Sequence, residues 1–265
     1  MPALDLVSAS ATAAAAGGSA MAAVAGDVLT VRNCPIEQKP MMLTCWVKSQ
    51  TSGFFQFIHP SGHDQVRDLR FRDVAAAVLP LMPLGWPEPL EPQELLTLTI
   101  SGAATAGDIE LAHHLMYYPS LPGIEGRYID SAQLDSRVIE LVTVEDTTTA
   151  TAGGAYSGQR ALNAASDLLY ANTDYAILGA NIGVTCGALC IAGSDLGNLR
   201  VGIPGMSGRP DITSNWFVNL SDQFGLPLIP VINSANKAAV LITNVQDENT
   251  AAVPFALLLA RLSPG

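Results

Sequence analysis

The sequence reads TSGFFQFI at residues 51–58 and TCGALCIA at residues 185–192. In both stretches Thr, a small residue and Gly precede a short apolar run. An apolar run of four to eight residues that is bounded by turn residues is typical of a β-strand. The two stretches are therefore the first sign that one half of the chain repeats the other.

Four further pairs of segments follow in the same order in each half. They are DLRF (68–71) with NLRV (198–201), LPLMP (79–83) with LPLIP (226–230), LTLTI (96–100) with AVLIT (239–243), and the long apolar runs Ile109–Tyr118 and Val253–Leu262. Any single pair could arise by chance. Their common order predicts a tandem duplication, which decides the architecture.

Each half also contains a helix-like segment between its LR and LP motifs. Trp216, Leu220 and Phe224 share one helical face. The predicted boundaries of this helix are Thr213 or Asp211 as the cap and Gly225 just past the end. In the first half, Asp73 can cap a helix over residues 74–78 that ends before Pro80. A third helix is predicted over residues 161–170, with Leu162 and Leu169 facing inward.

The other segments predict strands, because β-branched or aromatic residues alternate with turn residues. They are Val28–Arg32, Met42–Lys48, Phe54–His59, Val66–Arg72, Leu95–Ser101, Asp108–Tyr118, Tyr175–Val184, Ala188–Ala192, Asn198–Ile203, Leu226–Asn233, Ala238–Val245 and Val253–Leu262. We therefore expect a mainly all-β chain of two tandem jelly-roll or β-sandwich halves, each with a short helix.

The repeat divides the chain into four parts. Residues 1–26, rich in Ala and Gly, predict an N-terminal arm held by a neighbouring subunit. Residues 27–120 form the first sandwich, and residues 159–265 the second. Residues 121–158 are predicted to be a connector that contains a strand-like run, Arg137–Val144.

The composition indicates an oligomer. Charged residues make up 14% of the chain, against about 25% in an average soluble domain. Hydrophobic residues make up 49%, so part of the surface is expected to be buried in an assembly. The net charge is −11, and Arg67, Arg70 and Arg72 are interleaved with acidic residues. Nucleic-acid binding needs a basic patch, so we expect none.

The residues that could carry chemistry do not converge. His59 and His63 are spaced as a loose metal pair, but the following residues do not complete a cupin-type site. His113 and His114 are adjacent and would point to opposite faces of a strand. The four cysteines, Cys34, Cys45, Cys186 and Cys190, are expected to be free, buried thiols. We expect no catalytic, metal or cofactor site, and no enzyme activity.

One stretch is long enough to cross a membrane. Residues 175–194 are uncharged, and Gly179, Gly183 and Gly187 have the small-xxx-small spacing of membrane helices. The repeat assigns the same stretch to two strands instead. We take the strands as the prediction.

Two tandem jelly-roll-like halves in an apolar chain with an arm resemble the double jelly-roll major capsid proteins of icosahedral viruses and bacteriophages. The resemblance covers about residues 27–263 and rests on the TxG, LR and LPLxP repeats. It implies a virion structural protein that self-assembles into trimers, which tile a shell in the host cytoplasm. The implied partners are further copies, other virion proteins and possible contact with an inner membrane.

Two other functions remain open. One is a virion decoration, spike or receptor-binding module, with a site at Tyr117 and Tyr118 or in the loop Pro83–Pro92 around Trp86. The other is a metal-dependent, cupin-like enzyme that uses His59 and His63. The tryptophans Trp46, Trp86 and Trp216 could be core or interface anchors.

Overall fold

The computed structural model describes residues 2–12, 18–35, 37–48, 54–58, 69–72, 78–80, 87–101, 107–162, 168–247 and 251–264. The strands of the first half are β1 (Ala3–Thr12), β2 (Gly18–Ala20), β3 (Ala22–Ala23), β4 (Met41–Lys48), β5 (Phe54–Ile58), β6 (Leu69–Arg72), β7 (Val78–Pro80), β8 (Glu88–Pro89), β9 (Thr97–Ser101) and β10 (Ile109–Tyr118).

The described residues of the second half contain strands and three α-helices. They are β11 (Tyr128–Ile129), α1 (Ser131–Arg137), β12 (Val138–Thr147), β13 (Arg160–Ala161), β14 (Asp174–Ile182), β15 (Ala188–Ala192), β16 (Arg200–Pro204), α2 (Pro210–Thr213), α3 (Trp216–Phe224), β17 (Ile229–Asn233), β18 (Leu241–Val245) and β19 (Pro254–Leu262). A 3-10 helix (Ser234–Ala239) joins β17 to β18.

The strands form four antiparallel sheets. Sheet I has the order β2-β9-β5-β6, and sheet II has the order β3-β1-β10-β4-β7 with β8 paired to β4. Sheet III has the order β13-β18-β15-β16, and sheet IV has the order β11-β17-β14-β19-β12. The prediction of a mainly β chain is therefore confirmed.

The two halves repeat one strand order. Once the extra strands β3, β8 and β11 are set aside, the described residues of each half contain eight strands. Within each half, one sheet runs first-eighth-third-sixth and the other runs second-seventh-fourth-fifth. This is the connection pattern of an eight-stranded, two-sheet jelly roll. Both halves also have a register shift between their third and eighth strands.

One of the sequence matches is out of register in the structure. Within sheet I, Gln56 of β5 lies opposite Arg70 of β6. Within sheet III, the matching Cys190 of β15 lies opposite Gly202 of β16. Arg70 therefore corresponds to Gly202, two residues beyond the Arg200 of the second LR motif.

The predicted N-terminal arm is wrong, because residues 3–12, 18–20 and 22–23 form β1, β2 and β3. β1 pairs along its whole length with β10 inside sheet II. Leu4, Leu6 and Ala9 are completely or almost completely buried. β1 pairs with β10 over its whole length and with β3 at Ala9 and Ser10, and these backbone hydrogen bonds lie within the same chain. Order at this terminus therefore does not require a neighbouring subunit.

The predicted connector also has to be corrected. Its strand-like run is β12, which pairs with β19 along Val138–Thr147 and belongs to sheet IV. The equivalent strand of the first half is β1. The first half therefore begins at β1 rather than at residue 27, and the second half begins at β12 rather than at residue 159.

Most other predicted strands are present, and where both ends fall on described residues those ends differ by up to three residues. Val28–Arg32 is an exception, because its Thr30 forms only an isolated bridge to Leu95. The membrane-length stretch divides into β14 and β15, as the repeat predicted.

The predicted helix of the second half is α3, with Trp216 and Leu220 buried. It ends at Gly225, which has a left-handed conformation at φ 64°. Neither predicted cap begins it, because α2 precedes α3 and Asn215 is the N-terminal flanking residue, without a side-chain hydrogen bond.

The other two predicted helices fall mainly outside the described residues. Residues 73–77 are not described, and Val78 begins β7. In the 161–170 segment, residues 163–167 are not described and Ala161 ends β13. Leu162 and Leu169 are buried, as predicted.

The four sheets stack in the order I–II–III–IV. One core cluster joins Phe55 and Ile100 of sheet I to Val7 of sheet II. The other joins Leu6 on the opposite face of sheet II to Leu189 of sheet III and Leu257 of sheet IV. Sheets II and III are therefore covered on both faces, which explains why β4, β10 and β15 are nearly continuous apolar runs.

Candidate functional site

The contact between sheets II and III joins the two sandwiches. Leu6 of β1 lies over Gly202 of β16, where an added Cβ would be only 2.4 Å from the Leu6 Cδ2 atom. The neighbouring Cys190 and Ala188 of sheet III are also small. Large side chains of sheet II thus pack on a face of small side chains in sheet III, which brings the backbones close together.

Two tryptophans anchor this contact. The Trp46 Nε1 atom donates to the Gly187 carbonyl at 2.8 Å, and the Trp216 Nε1 atom donates to the Gly202 carbonyl at 3.0 Å. Their rings meet edge to face, with centroids 6.0 Å apart. Both tryptophans bury a large apolar surface with a satisfied N–H group, so they act as interface anchors between the halves. Trp86 lies outside the described residues.

A polar seam runs along one side of the contact. Asp27 accepts hydrogen bonds from the Ser8 N–H at 2.8 Å, the Tyr156 hydroxyl at 2.6 Å and Arg200 at 2.5 Å. The Arg200 guanidinium also lies 4.2 Å above the centre of the Tyr156 ring. These bonds connect the first sandwich to the loop before β13 and to β16. Burial raises the pKa of Asp27.

A cleft of about 280 Å³ opens beside this seam, between the sandwiches. Asp5 and Arg32 form an ion pair at 2.6 Å on one wall. Burial raises the pKa of Asp5 to about 6, although Arg32 opposes that shift. The charged residues described in the cleft wall form ion pairs with one another. The cleft therefore adds polar contacts between the halves, and the described residues that line it present no unpaired charge to a ligand.

A buried ion pair ties the halves together on the other side. The Lys48 Nζ atom lies 3.0 Å from an Asp247 carboxylate oxygen, with both side chains at most 2% exposed. Lys48 ends β4 and Asp247 follows β18. Removing one of these two charges would leave the other buried without the opposite charge of this ion pair.

The histidines confirm one prediction and leave another outside the described residues. His113 and His114 do point to opposite faces of β10. His113 is 2.9 Å from the Ser8 hydroxyl, whereas His114 meets the Phe57 ring edge to face at 4.2 Å between centroids. Burial lowers the pKa of both imidazoles to about 3. His59 and His63 are not described.

No cluster of three or more His, Cys, Asp or Glu side chains suited to a metal occurs among the described residues. The four cysteines are free and buried. Burial raises the pKa of the Cys45 and Cys186 thiols to about 12, which keeps them protonated and unreactive.

The tyrosine site of the receptor-binding alternative is wrong. Tyr117 and Tyr118 are 5% and 0% exposed, because they end the central strand β10. Within the alternative loop, residues 83–86 are not described, and Leu90 is buried.

Large apolar side chains are exposed on two of the sheets and in connecting segments, where they are Val28, Leu95, Leu168 and Tyr170. On the outer face of sheet I, Phe54 is 49% exposed, whereas its neighbour Phe55 is fully buried. On β12, at the edge of sheet IV, Ile139 is 52% exposed and Leu141 is 63% exposed. Apolar groups of this size on a charge-poor chain indicate contact surfaces.

Sequence reasoning missed the interface role of β1 and of the charges Asp5, Lys48 and Asp247. One available signal was a further match between the halves, ALDLVSASAT at 3–12 and VIELVTVEDT at 138–147. Another was the single charge within an otherwise apolar strand, which predicts a paired, buried group.

No family model matches the chain, and no curated protein matches it. Among solved structures, the PBSX exported protein XepA is similar over 96% of this chain and 86% of its own, at 7% sequence identity and a TM-score of 0.29. A likeness of this size carries no conclusion about fold or function. None of the helices among the described residues is long and apolar enough to cross a membrane.

Proposed function

We propose that this chain is a virion structural protein, a major capsid protein that assembles into trimers and then into a shell in the host cytoplasm. The observation that carries the proposal is the duplicated jelly roll whose halves meet through unlike sheets, II and III. Such a contact is heterologous, and a heterologous contact that repeats from one copy to the next gives a ring when its rotation closes and an open filament when it does not.

We propose three copies per ring. Each chain already contains one contact between two similar sandwiches. If the same kind of contact joins successive chains with a similar rotation, three chains supply six sandwiches of near-equal shape. This ring is the unit from which a shell would be tiled, with other virion proteins and a possible inner membrane as further partners.

The chemistry of the described residues adds support. The titratable groups in the contact between the sandwiches are matched in pairs, and burial keeps His113 and His114 neutral. The polar groups thus fix the relative position of two sandwiches. A shell protein requires this fixed geometry, because small errors in angle accumulate around a ring.

The test is the solution mass of the purified full chain by light scattering, with electron microscopy of the same sample. We expect particles near three chain masses, and regular shells or sheets at higher concentration. A stable monomer at every concentration would contradict the proposal and favour a binding module. Few copies per virion would instead favour a decoration or spike protein.

A further inference from the structure

The contact inside the chain provides a template for a contact between chains. Sheet II of the first half packs on sheet III of the second half. Because the halves share one strand order, sheet IV is the second-half counterpart of sheet II, and sheet I is the first-half counterpart of sheet III. Sheet IV and sheet I lie at opposite ends of the four-sheet stack.

β12 is the second-half counterpart of β1. Its outward-facing side chains occupy the same face of the strand as the β1 side chains that contact sheet III. In β1, Leu4 and Leu6 face sheet III and are at most 1% exposed. In β12, Val144 faces the core and is 1% exposed, whereas Leu141 on the opposite face is 63% exposed. Leu141 is therefore an exposed apolar side chain, whereas sheet III covers Leu6 at the equivalent position of β1.

The outer face of sheet I shows the complementary situation. The sequence matches align Phe54 with Ala188. Ala188 is fully buried in the second half, whereas Phe54 is 49% exposed. Sheet II covers this face of sheet III. The equivalent face of sheet I is exposed and carries the apolar Phe54.

The two surfaces also carry opposite charges and side chains of different size. Arg70 is exposed on the outer face of sheet I, and Glu145 is exposed on the outer face of β12. The large Phe54 stands on sheet I, whereas β19, beside β12 in sheet IV, presents Ala256 on the same face as Glu145. A large side chain on one surface is therefore available to pack on a small side chain of the other.

The helices leave this part of sheet IV accessible. α2 and α3 pack on β14, and α3 also contacts β17. β12 lies two strands away from β14, at the edge of the sheet, and among the described strands it pairs only with β19. The exposed apolar surface is therefore confined to the β12 side.

We propose that the β12 side of sheet IV in one copy binds the outer face of sheet I in the next copy, head to tail, with Leu141 and Phe54 in the contact. The occupant of each surface is a second copy of this chain. This inference deepens the proposed function, since it names the surfaces through which copies assemble.

A head-to-tail contact has a specific signature in mixtures of variants. Phe54→Glu damages only the sheet I surface, and Leu141→Glu damages only the β12 surface. Each variant alone has one defective partner in every contact, so its apparent mass falls toward that of a monomer. In an equimolar mixture, the intact β12 surface of the first variant meets the intact sheet I surface of the second. The mixture forms dimers and stops there.

The experiment is light scattering of wild type, both variants and their mixture, with circular dichroism to verify folding. Gln223→Glu adds the same charge to an exposed position of α3 and serves as the control. We expect at least a tenfold rise in the concentration needed for assembly of each single variant, and recovery of a dimer on mixing. The control assembles like wild type.

The outcomes separate the contact from the function. If wild type assembles and either variant assembles equally well, the contact is wrong and the proposed function stands. If both variants are monomeric and mixing restores nothing, the contact is not head to tail. If wild type itself is a monomer, the proposed function fails together with the contact.

Discussion

At the scale of single residues, His114 couples the stability of the chain to pH. Burial lowers its pKa to about 3, whereas an unfolded histidine titrates near pH 6.5. The unfolded state therefore binds more protons as the pH falls from 6.5 toward 3. The stability that neutral His113 and His114 provide is complete above pH 6.5 and is lost over this range.

We expect the free energy of unfolding to fall by a few kcal/mol between pH 7 and pH 4, measured by urea unfolding. In His114→Leu the decline is shallower, because one titrating group is gone. The stability at pH 7 stays near that of wild type, since both His114 ring nitrogens lack a hydrogen-bond partner in the structure. An unchanged pH slope in this variant would contradict the assignment.

Asp5 acts in the opposite direction over part of this range. Its folded pKa of about 6 lies above the unfolded value of 3.8. The folded state therefore binds the additional proton, and acidification from pH 6 to pH 4 adds stability through this residue. In Asp5→Asn we expect a steeper loss of stability with falling pH than in wild type, by about 1–3 kcal/mol at pH 4.

At the scale of elements, β1 decides whether the first sandwich can form. Deleting residues 2–12 removes a strand paired with β10 over ten residues. We expect this deletion to abolish folding of the first half, seen as lost β signal in circular dichroism and rapid proteolysis. Within the strand, Leu4→Asp should be severe, whereas Thr12→Asp at the exposed end should be tolerated. A folded deletion variant would restore the interpretation of an arm.

The same strand shows what could be predicted from the sequence. The strand motifs that matched between the halves led to the duplication and to a sandwich in each half. β1 was missed because Ala and Ser carry little strand signal, so residues 3–12 looked like a flexible segment. Strand order and the contact between sheets II and III depend on long-range pairing, which no local pattern encodes. The candidate surfaces needed that contact, since the exposure of Leu141 has meaning only beside the burial of Leu6.

At the scale of the whole molecule, Lys48 and Asp247 test whether the halves form one cooperative unit. Lys48→Met leaves a buried carboxylate without its ion-pair partner, so we expect a loss of about 3–5 kcal/mol in unfolding free energy. Adding Asp247→Leu should recover much of that loss. The measurement is urea unfolding followed by tryptophan fluorescence, since Trp46 and Trp216 both lie at the contact.

The exposed pair of Lys39 and Glu91 supplies the matched control. Lys39→Met should cost at most about 1 kcal/mol, because water screens an exposed ion pair. If Lys48→Met costs no more than Lys39→Met, the buried pair does not hold the sandwiches together.

The packing of sheet II on sheet III, rather than of two like sheets on each other, gives each molecule a direction. The end of the molecule formed by sheet I differs from the end formed by sheet IV. Copies that join through those ends all point the same way around a ring, so the ring has one handedness and two different flat sides. A layer built from such rings therefore has a distinct inside and outside before any other component binds.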